Sequence, residues 1–306
     1  MNLDTHNADA PIVDVQSLTR RFGTTLALDD VTLNVPRGVV YGLIGENGAG
    51  KTTLIKHILG LLKPKSGTVR VFGLDPIAEP VKVLSRLGTL TEERDTPAWM
   101  RVKEAISYTQ AFYPKWDASY AEQLRKAFEL DPEARVRDLS RGQQARLGMV
   151  LALSYRPELL VLDEPSSGLD PVVRRDILGA IIRTITDEGR TVLFSSHLLD
   201  EVERVSDHVA MIDRGRIVFG GPLDQIKSEY RRFTLRFDEP QDRPPTFSGL
   251  LAGEGEGREW SGLRVVEPGR EVSFPGQLVE ERGASLDEIF VARRTSERSG
   301  KERVNA

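Results

Sequence analysis

Gly45-Glu46-Asn47-Gly48-Ala49-Gly50-Lys51-Thr52 has the spacing Gly-x-x-x-x-Gly-Lys-Ser/Thr. Glycines at those places let a backbone curl until several N–H groups face one anion. A helix opening at the end of the loop adds about half a positive charge at its first turn. The chemistry suits a polyphosphate, with Lys51 reaching the β- and γ-phosphates and the Thr52 hydroxyl on Mg²⁺. A second group lies downstream. Val161-Leu162-Asp163-Glu164-Pro165 closes an apolar run with two carboxylates. Neighbours on a strand point to opposite sides, but at its frayed end both can reach one cleft. Asp163 suits the acid that bridges to Mg²⁺, and Glu164 suits a base that polarises the attacking water.

These groups need a scaffold, and the surrounding pattern supplies one. Val39-Val40-Tyr41-Gly42-Leu43-Ile44 reads as a buried strand just before the loop, and Lys51 to Leu62 reads as the helix after it. Val13-Asp14-Val15, Val31 to Val35 and Thr68 to Phe72 read as further strands. Leu159 to Leu162 and Thr191 to Phe194 are apolar strands around a helix running from Pro171 to Gly189. Val209 to Asp213 and Ile217 to Phe219 form a hairpin around Arg214-Gly215. Strands alternating with helices argue a parallel sheet with helices on both faces. His57 reads as a helix-surface histidine and His208 as a surface residue.

Two stretches depart from this texture. Residues 97–135 are helical, Pro-spaced and rich in aromatics, with Trp99, Tyr108, Phe112, Tyr113, Trp116, Tyr120 and Phe128. They read as an inserted helical subdomain that packs a small aromatic core, grips a partner helix, or does both. Past residue 230, Phe233 to Phe237 alternates as a strand, and Pro, Gly and Glu then dominate to Gly283. Ser285-Leu286-Asp287-Glu288 opens a short helix with a capping box. Residues 230–294 therefore read as a small accessory domain, and 1–10 and 295–306 as disordered tails.

The chain has 306 residues, enough for about two domains. Its 42 Lys and Arg against 46 Asp and Glu give a net charge of −4, which argues against a dedicated nucleic-acid binder. With no Cys, disulfide and thiolate chemistry are excluded. No run approaches the ~18 apolar residues of a membrane span, and the first residues lack a signal-peptide pattern. The expected location is the cytoplasm, with any membrane part supplied by another chain.

Further motifs carry a resemblance. Leu139-Ser140-Arg141-Gly142-Gln143 resembles the LSGGQ signature of ABC transporter ATP-binding subunits. Ser166-Ser167-Gly168-Leu169-Asp170 looks like their D-loop, and Ser195-Ser196-His197 like their switch histidine. The resemblance covers about residues 12–225. It implies a phosphate-loop ATPase core at 12–228, built on a parallel sheet with an antiparallel β subdomain. A helical subdomain is inserted at about 95–155, and a small α+β domain follows the core. The implied ligands are ATP and Mg²⁺. Phe22 would stack on adenine. Gly45, Asn47, Gly48, Ala49, Gly50, Lys51, Thr52 and Thr53 would hold the phosphates, with Thr52, Glu92 and Asp163 on the metal. Glu164, His197 and Lys51 would be catalytic. Ser140, Gly142 and Gln143 would face the γ-phosphate held by a second subunit, and Asp170 would lie at that interface. Residue by residue, Ser140 also reads as a helix cap with Gln143, and Asp170 as a cap ahead of Pro171.

Two residues depart from the family pattern. Arg141 stands where the family has Gly, and Glu92 stands at the Q-loop glutamine. An acidic residue at that place, Phe112-Tyr113-Pro114-Lys115-Trp116-Asp117 and the 285–290 segment look like the multidrug, antibiotic-resistance and peptide-efflux subunits. The resemblance implies a separate transmembrane permease, a second ATP-binding subunit, and a place on the inner face of the membrane. The alternative is a soluble ABC-type ATPase acting on a non-membrane target.

Overall fold

In the computed structural model, residues 10–91, 96–186, 189–266 and 272–294 are described, with 184–186 described for the backbone only. The tails 1–9 and 295–306, and Glu92, lie outside the described residues. The chain divides into two compact units, Met1–Gly220 and Gly221–Ala306.

The first unit opens with β1 (Val13–Phe22), β2 (Thr25–Val35), β3 (Val40–Ile44), α1 (Lys51–Ile58) and β4 (Ser66–Val71). Then come α2 (Pro80–Leu84), β5 (Leu87–Leu90), α3 (Val102–Gln110), α4 (Ala118–Ala127) and α5 (Arg141–Leu153). The unit continues through β6 (Leu159–Leu162), α6 (Pro171–Thr186), β7 (Thr191–Ser196), α7 (Leu199–Val205), β8 (His208–Asp213) and β9 (Arg216–Pro222). Strands β2-β1-β4 make a three-stranded antiparallel sheet. The main sheet has the order β5-β6-β7-β3-β8-β9, and its pairs from β5 to β8 are parallel. This is the expected α/β phosphate-loop fold, with its antiparallel β subdomain and its helical insert.

Why these segments fold this way is visible in their burial. All five residues of β3 and all four of β6 are buried, as continuous apolar strands covered on both faces must be. One hydrophobic cluster joins Leu18 and Val31 of the antiparallel sheet, Leu54 and Ile58 of α1, and Leu43, Val161 and Leu193 of the main sheet. The phosphate-loop helix is thereby clamped between two sheets. Truncating a member such as Leu54 to Ala costs about 2–5 kcal/mol.

The helix after the loop is a turn shorter than the pattern suggests. It ends at Ile58 because Gly60 takes φ +71°, while the Leu61 and Leu62 amides donate to the Lys56 carbonyl. His57 is fully buried rather than on the helix surface, and His208 is half-buried with its ring stacked on Tyr41. Helical periodicity alone missed that α1 is covered on two sides.

The second unit holds α8 (Leu223–Ser228), β10 (Tyr230–Gln241), β11 (Leu250–Val265) and β12 (Gln277–Gly283), with a helix over 286–294. Its sheet is antiparallel in the order β11-β10-β12. The capping box is present: the Glu288 amide donates to Ser285 Oγ, and the Ser285 amide donates to Glu288 Oε2. Strand β11 runs through the Gly- and Glu-rich stretch, where alternation gave no sign of it. Among the described residues, no helix is long and apolar enough to cross a membrane.

Candidate functional site

The loop between β3 and α1 is held by close backbone packing. A Cβ on Gly45 would lie 2.4 Å from the Ile212 carbonyl oxygen, and one on Gly50 would lie 2.7 Å from that of Ala27. Gly50 also has φ +115°, which favours glycine. Asn47 and Gly48 are exposed, whereas Ala49 is buried against the core. No side chain caps α1. The orphan amides of its first turn, with Thr52 and Thr53 among them, are the anion-binding groups of such an end.

Lys51 is buried and lies back along its own loop. Its Nζ donates to the carbonyls of Gly45 at 2.6 Å and Glu46 at 3.1 Å. The same nitrogen is 3.0 Å from Glu164 Oε1, at ion-pair distance though not aligned as a hydrogen bond. The other oxygen of Glu164 is 2.7 Å from His197 Nδ1. One buried carboxylate therefore joins the three residues singled out as catalytic. Glu164 adopts φ +48°, a conformation costing on the order of 1–3 kcal/mol for a non-glycine residue. It is retained by the Lys51 pair, by His197, and by the Glu164 amide donating to Ser195 Oγ at 2.9 Å.

Ser195 also donates to Asp163 Oδ1 at 2.7 Å, so one hydroxyl fixes both acids at the end of β6. Ser195 was visible only as part of a Ser-Ser-His string. The polar ending of an otherwise apolar strand was the available signal. Thr52 and Asp163 offer hard oxygen donors, which suit Mg²⁺. Among the described residues no cluster of three His, Cys, Asp or Glu forms a metal cage.

The remaining motif residues lie apart from this centre in the contacts they make. Ser140 and Gln143 cap each other: the Gln143 amide donates to Ser140 Oγ at 3.2 Å, and the Ser140 amide donates to Gln143 Oε1 at 2.9 Å. Gly142 is packed, since a Cβ there would be 2.8 Å from Val173 Cγ2. Arg141 extends toward the D-loop segment, its Nη1 3.4 Å from where a Cβ on Gly168 would lie. Asp170 caps α6 by accepting from the amides of Val172 and Val173. The Val173 amide above all holds its carboxyl below the usual range. Phe22, the last residue of β1, is 45% exposed with the Arg20 guanidinium over one face of its ring.

Residues 28–167 match the profile of the family described as ABC transporter. The chain is 36% identical over 235 residues to the daunorubicin/doxorubicin resistance ATP-binding protein DrrA of Streptomyces peucetius, a match covering 73% of this chain and 69% of DrrA. The chain belongs to the ABC transporter ATP-binding family. As a family member it is an ATP-binding, ATP-hydrolysing subunit. The ABC transporter ATP-binding protein YtrB of Bacillus subtilis (strain 168) is 26% identical and matches over 92% of this chain and 98% of its own length. A solved ATP-binding subunit of an ABC transporter has a TM-score of 0.64 at 29% identity, covering 71% of this chain and 92% of that structure.

Proposed function

We propose that this ABC subunit hydrolyses ATP at Glu164, with two copies or two related subunits closing on two ATP molecules to drive export through a separate permease. The observation that carries the reading is the double engagement of Glu164 by Lys51 and His197. Lys51, released from Gly45 and Glu46, turns to the β- and γ-phosphates. Its departure frees a Glu164 oxygen to accept a proton from the attacking water, a contribution worth roughly 10²–10⁴-fold. His197 holds the other oxygen and orients the carboxylate. Asn47, Gly48, Ala49, Gly50 and Thr53 present the loop and helix amides, and Phe22 stacks on adenine. Thr52 and Asp163 would hold Mg²⁺, with Glu92 as a further ligand. When bound, the ion offsets the charge on the phosphate oxygens.

Ser140, Gly142 and Gln143 line a helix end that faces the γ-phosphate bound by the second subunit, and Asp170 stands at that interface. ATP shifts such a pair toward closure only because the closed state binds it better. The permease grips the helical subdomain at a cleft of about 300 Å³ lined by Leu90, Pro97, Met100, Tyr108, Gln144 and Leu151. Trp99, Tyr108 and Phe112 are exposed in that subdomain, and Tyr108 and Phe112 pack edge to face. This contact would hold the subunit on the inner face of the membrane. Export is supported by the likeness to a drug-resistance ATP-binding protein. Residues 230–294 serve as an accessory domain.

Glu164→Gln tests the reading. Steady-state ATP hydrolysis should fall by roughly 10²–10⁴-fold, while size-exclusion chromatography with ATP should show a trapped dimer. Hydrolysis at the wild-type rate would overturn the assignment.

A further inference from the structure

Four residues beyond His197, on α7, Glu201 carries a carboxylate that is 2% exposed. A buried acid is costly unless partners hold it. Its partners come from three separate segments. Ser166 Oγ donates to Glu201 Oε2 at 2.6 Å. Ser196 Oγ lies 3.5 Å from the same oxygen. Arg174 Nε is 2.8 Å from Oε1, an ion pair without hydrogen-bond alignment. Burial pushes the Glu201 carboxyl up, against the opposing pull of Ser166 and Arg174.

Each partner stands beside a residue of the proposed site. Ser166 is two residues after Glu164, Ser196 directly precedes His197, and Arg174 is one helical turn after Asp170. The Arg174 amide donates to the Asp170 carbonyl, so that turn moves as a piece. Nothing aims Glu201 itself at the phosphate cradle. Both its oxygens are engaged by protein groups, and its placement is structural to the acid turn and the switch strand alike.

We propose that Glu201 is a positioning residue: its buried carboxylate clamps the 164–170 turn to the end of β7, so that the Glu164–His197 alignment and the Asp170-bearing turn are set together. This rests on the reading of Glu164 and His197 given above. The clamp also explains how a non-glycine φ of +48° at Glu164 is kept, since the chain two residues later is tied down from a different helix. Misplacing a reacting group by about 1 Å can cost on the order of a hundredfold in rate. The clamp acts on turnover more than on nucleotide affinity, because the loop and α1 are held by other contacts.

The full-length chain provides the test. Glu201→Gln keeps the shape and a hydrogen bond for Ser166 but removes the charge facing Arg174. Ser166→Ala removes the other arm with a change too small to threaten folding. ATP turnover is measured per bound nucleotide, alongside ADP affinity and thermal unfolding. Glu201→Gln should lower turnover about ten- to a hundredfold with ADP affinity within about twofold. Ser166→Ala should lower it less, and the double variant should lose less than the product of the two single losses, because both arms hold the same turn. Unchanged turnover in Glu201→Gln, fully additive losses, or a loss of ADP affinity matching the loss of turnover would each overturn the clamp. Glu164→Gln is run in parallel. If it is inactive while Glu201→Gln is normal, only the clamp fails. If it keeps turnover, the reading of the site fails and the clamp with it.

Discussion

Two helices begin at motif residues of the proposed site, and their first turns are built differently. α1 begins after Gly50, in a left-handed conformation with no side-chain cap. α5 begins at Ser140, in extended conformation, with a complete capping box. The first helix end is kept open by tertiary packing of its glycines against the Ile212 and Ala27 carbonyls. The second satisfies two amides itself, those of Ser140 and Gln143. An uncapped end leaves donors for an anion, so the α1 cradle is complete within one chain. A self-capped end is stable alone, and a phosphate from a second subunit would have to compete with Gln143 for it. The contrast accords with an ATP molecule bound first by one subunit and only then closed upon by another.

The largest effect should come from Gly50→Ala. The new Cβ meets a backbone carbonyl at 2.7 Å and the residue must hold φ +115°. Strain of about 1–3 kcal/mol would be relieved by displacing the loop, so ADP affinity measured by calorimetry should drop about 5- to 150-fold. Gly142→Ala is the control. Its Cβ meets the Val173 side chain rather than backbone, and its φ is not in the left-handed region. If Gly142→Ala weakens ADP binding as much, the two helix ends are not functionally distinct.

Ser140→Ala should have a smaller effect, on stability. Loss of a serine cap costs about 1 kcal/mol, read as a lowered Tm, and ADP binding to the single chain should stay near wild type. A drop in ADP affinity comparable to that of Gly50→Ala would mean that both helix ends serve the same nucleotide in one subunit.

Local chemistry made the helix starts legible. Ser140, Asp170 and Ser285 could each be assigned as caps because a cap is a short-range hydrogen bond between residues two or three apart. The grouping of Lys51, Glu164 and His197 was legible from motif order, and the structure does bring them together. The rest depended on what covers what. Nothing in the spacing of Glu201 from His197 shows that Ser166 and Arg174, 35 and 27 positions away, converge on it. β11 escaped notice because its glycines and glutamates break alternation, although ladder pairing with β10 needs only backbone. His57 was misplaced because α1 is covered by two sheets, which a single helical stripe does not reveal.

That buried histidine offers the finest test of the contrast between the two helices. α1 buries two ionisable side chains, Lys51 and His57, whereas every residue buried on α5 is apolar or glycine. His57 Nδ1 lies 2.8 Å from the Thr53 carbonyl, which can only accept, so Nδ1 carries the proton. Nε2 is buried with no partner among the described residues. Protonating it would place a charge in the core, and burial accordingly lowers the pKa of His57, helped by the nearby Arg20. A histidine whose folded pKa is depressed stabilises the fold fully above its unfolded value near 6.5. That stability is lost as pH falls below 6.5 toward the folded value, because the unfolded chain binds the extra proton. Urea unfolding at pH 7.5 and pH 5.5 should therefore show a larger fall in midpoint for the wild type than for His57→Gln. Equal falls in the two proteins would mean that acid acts elsewhere and that α1 is no more pH-sensitive than α5.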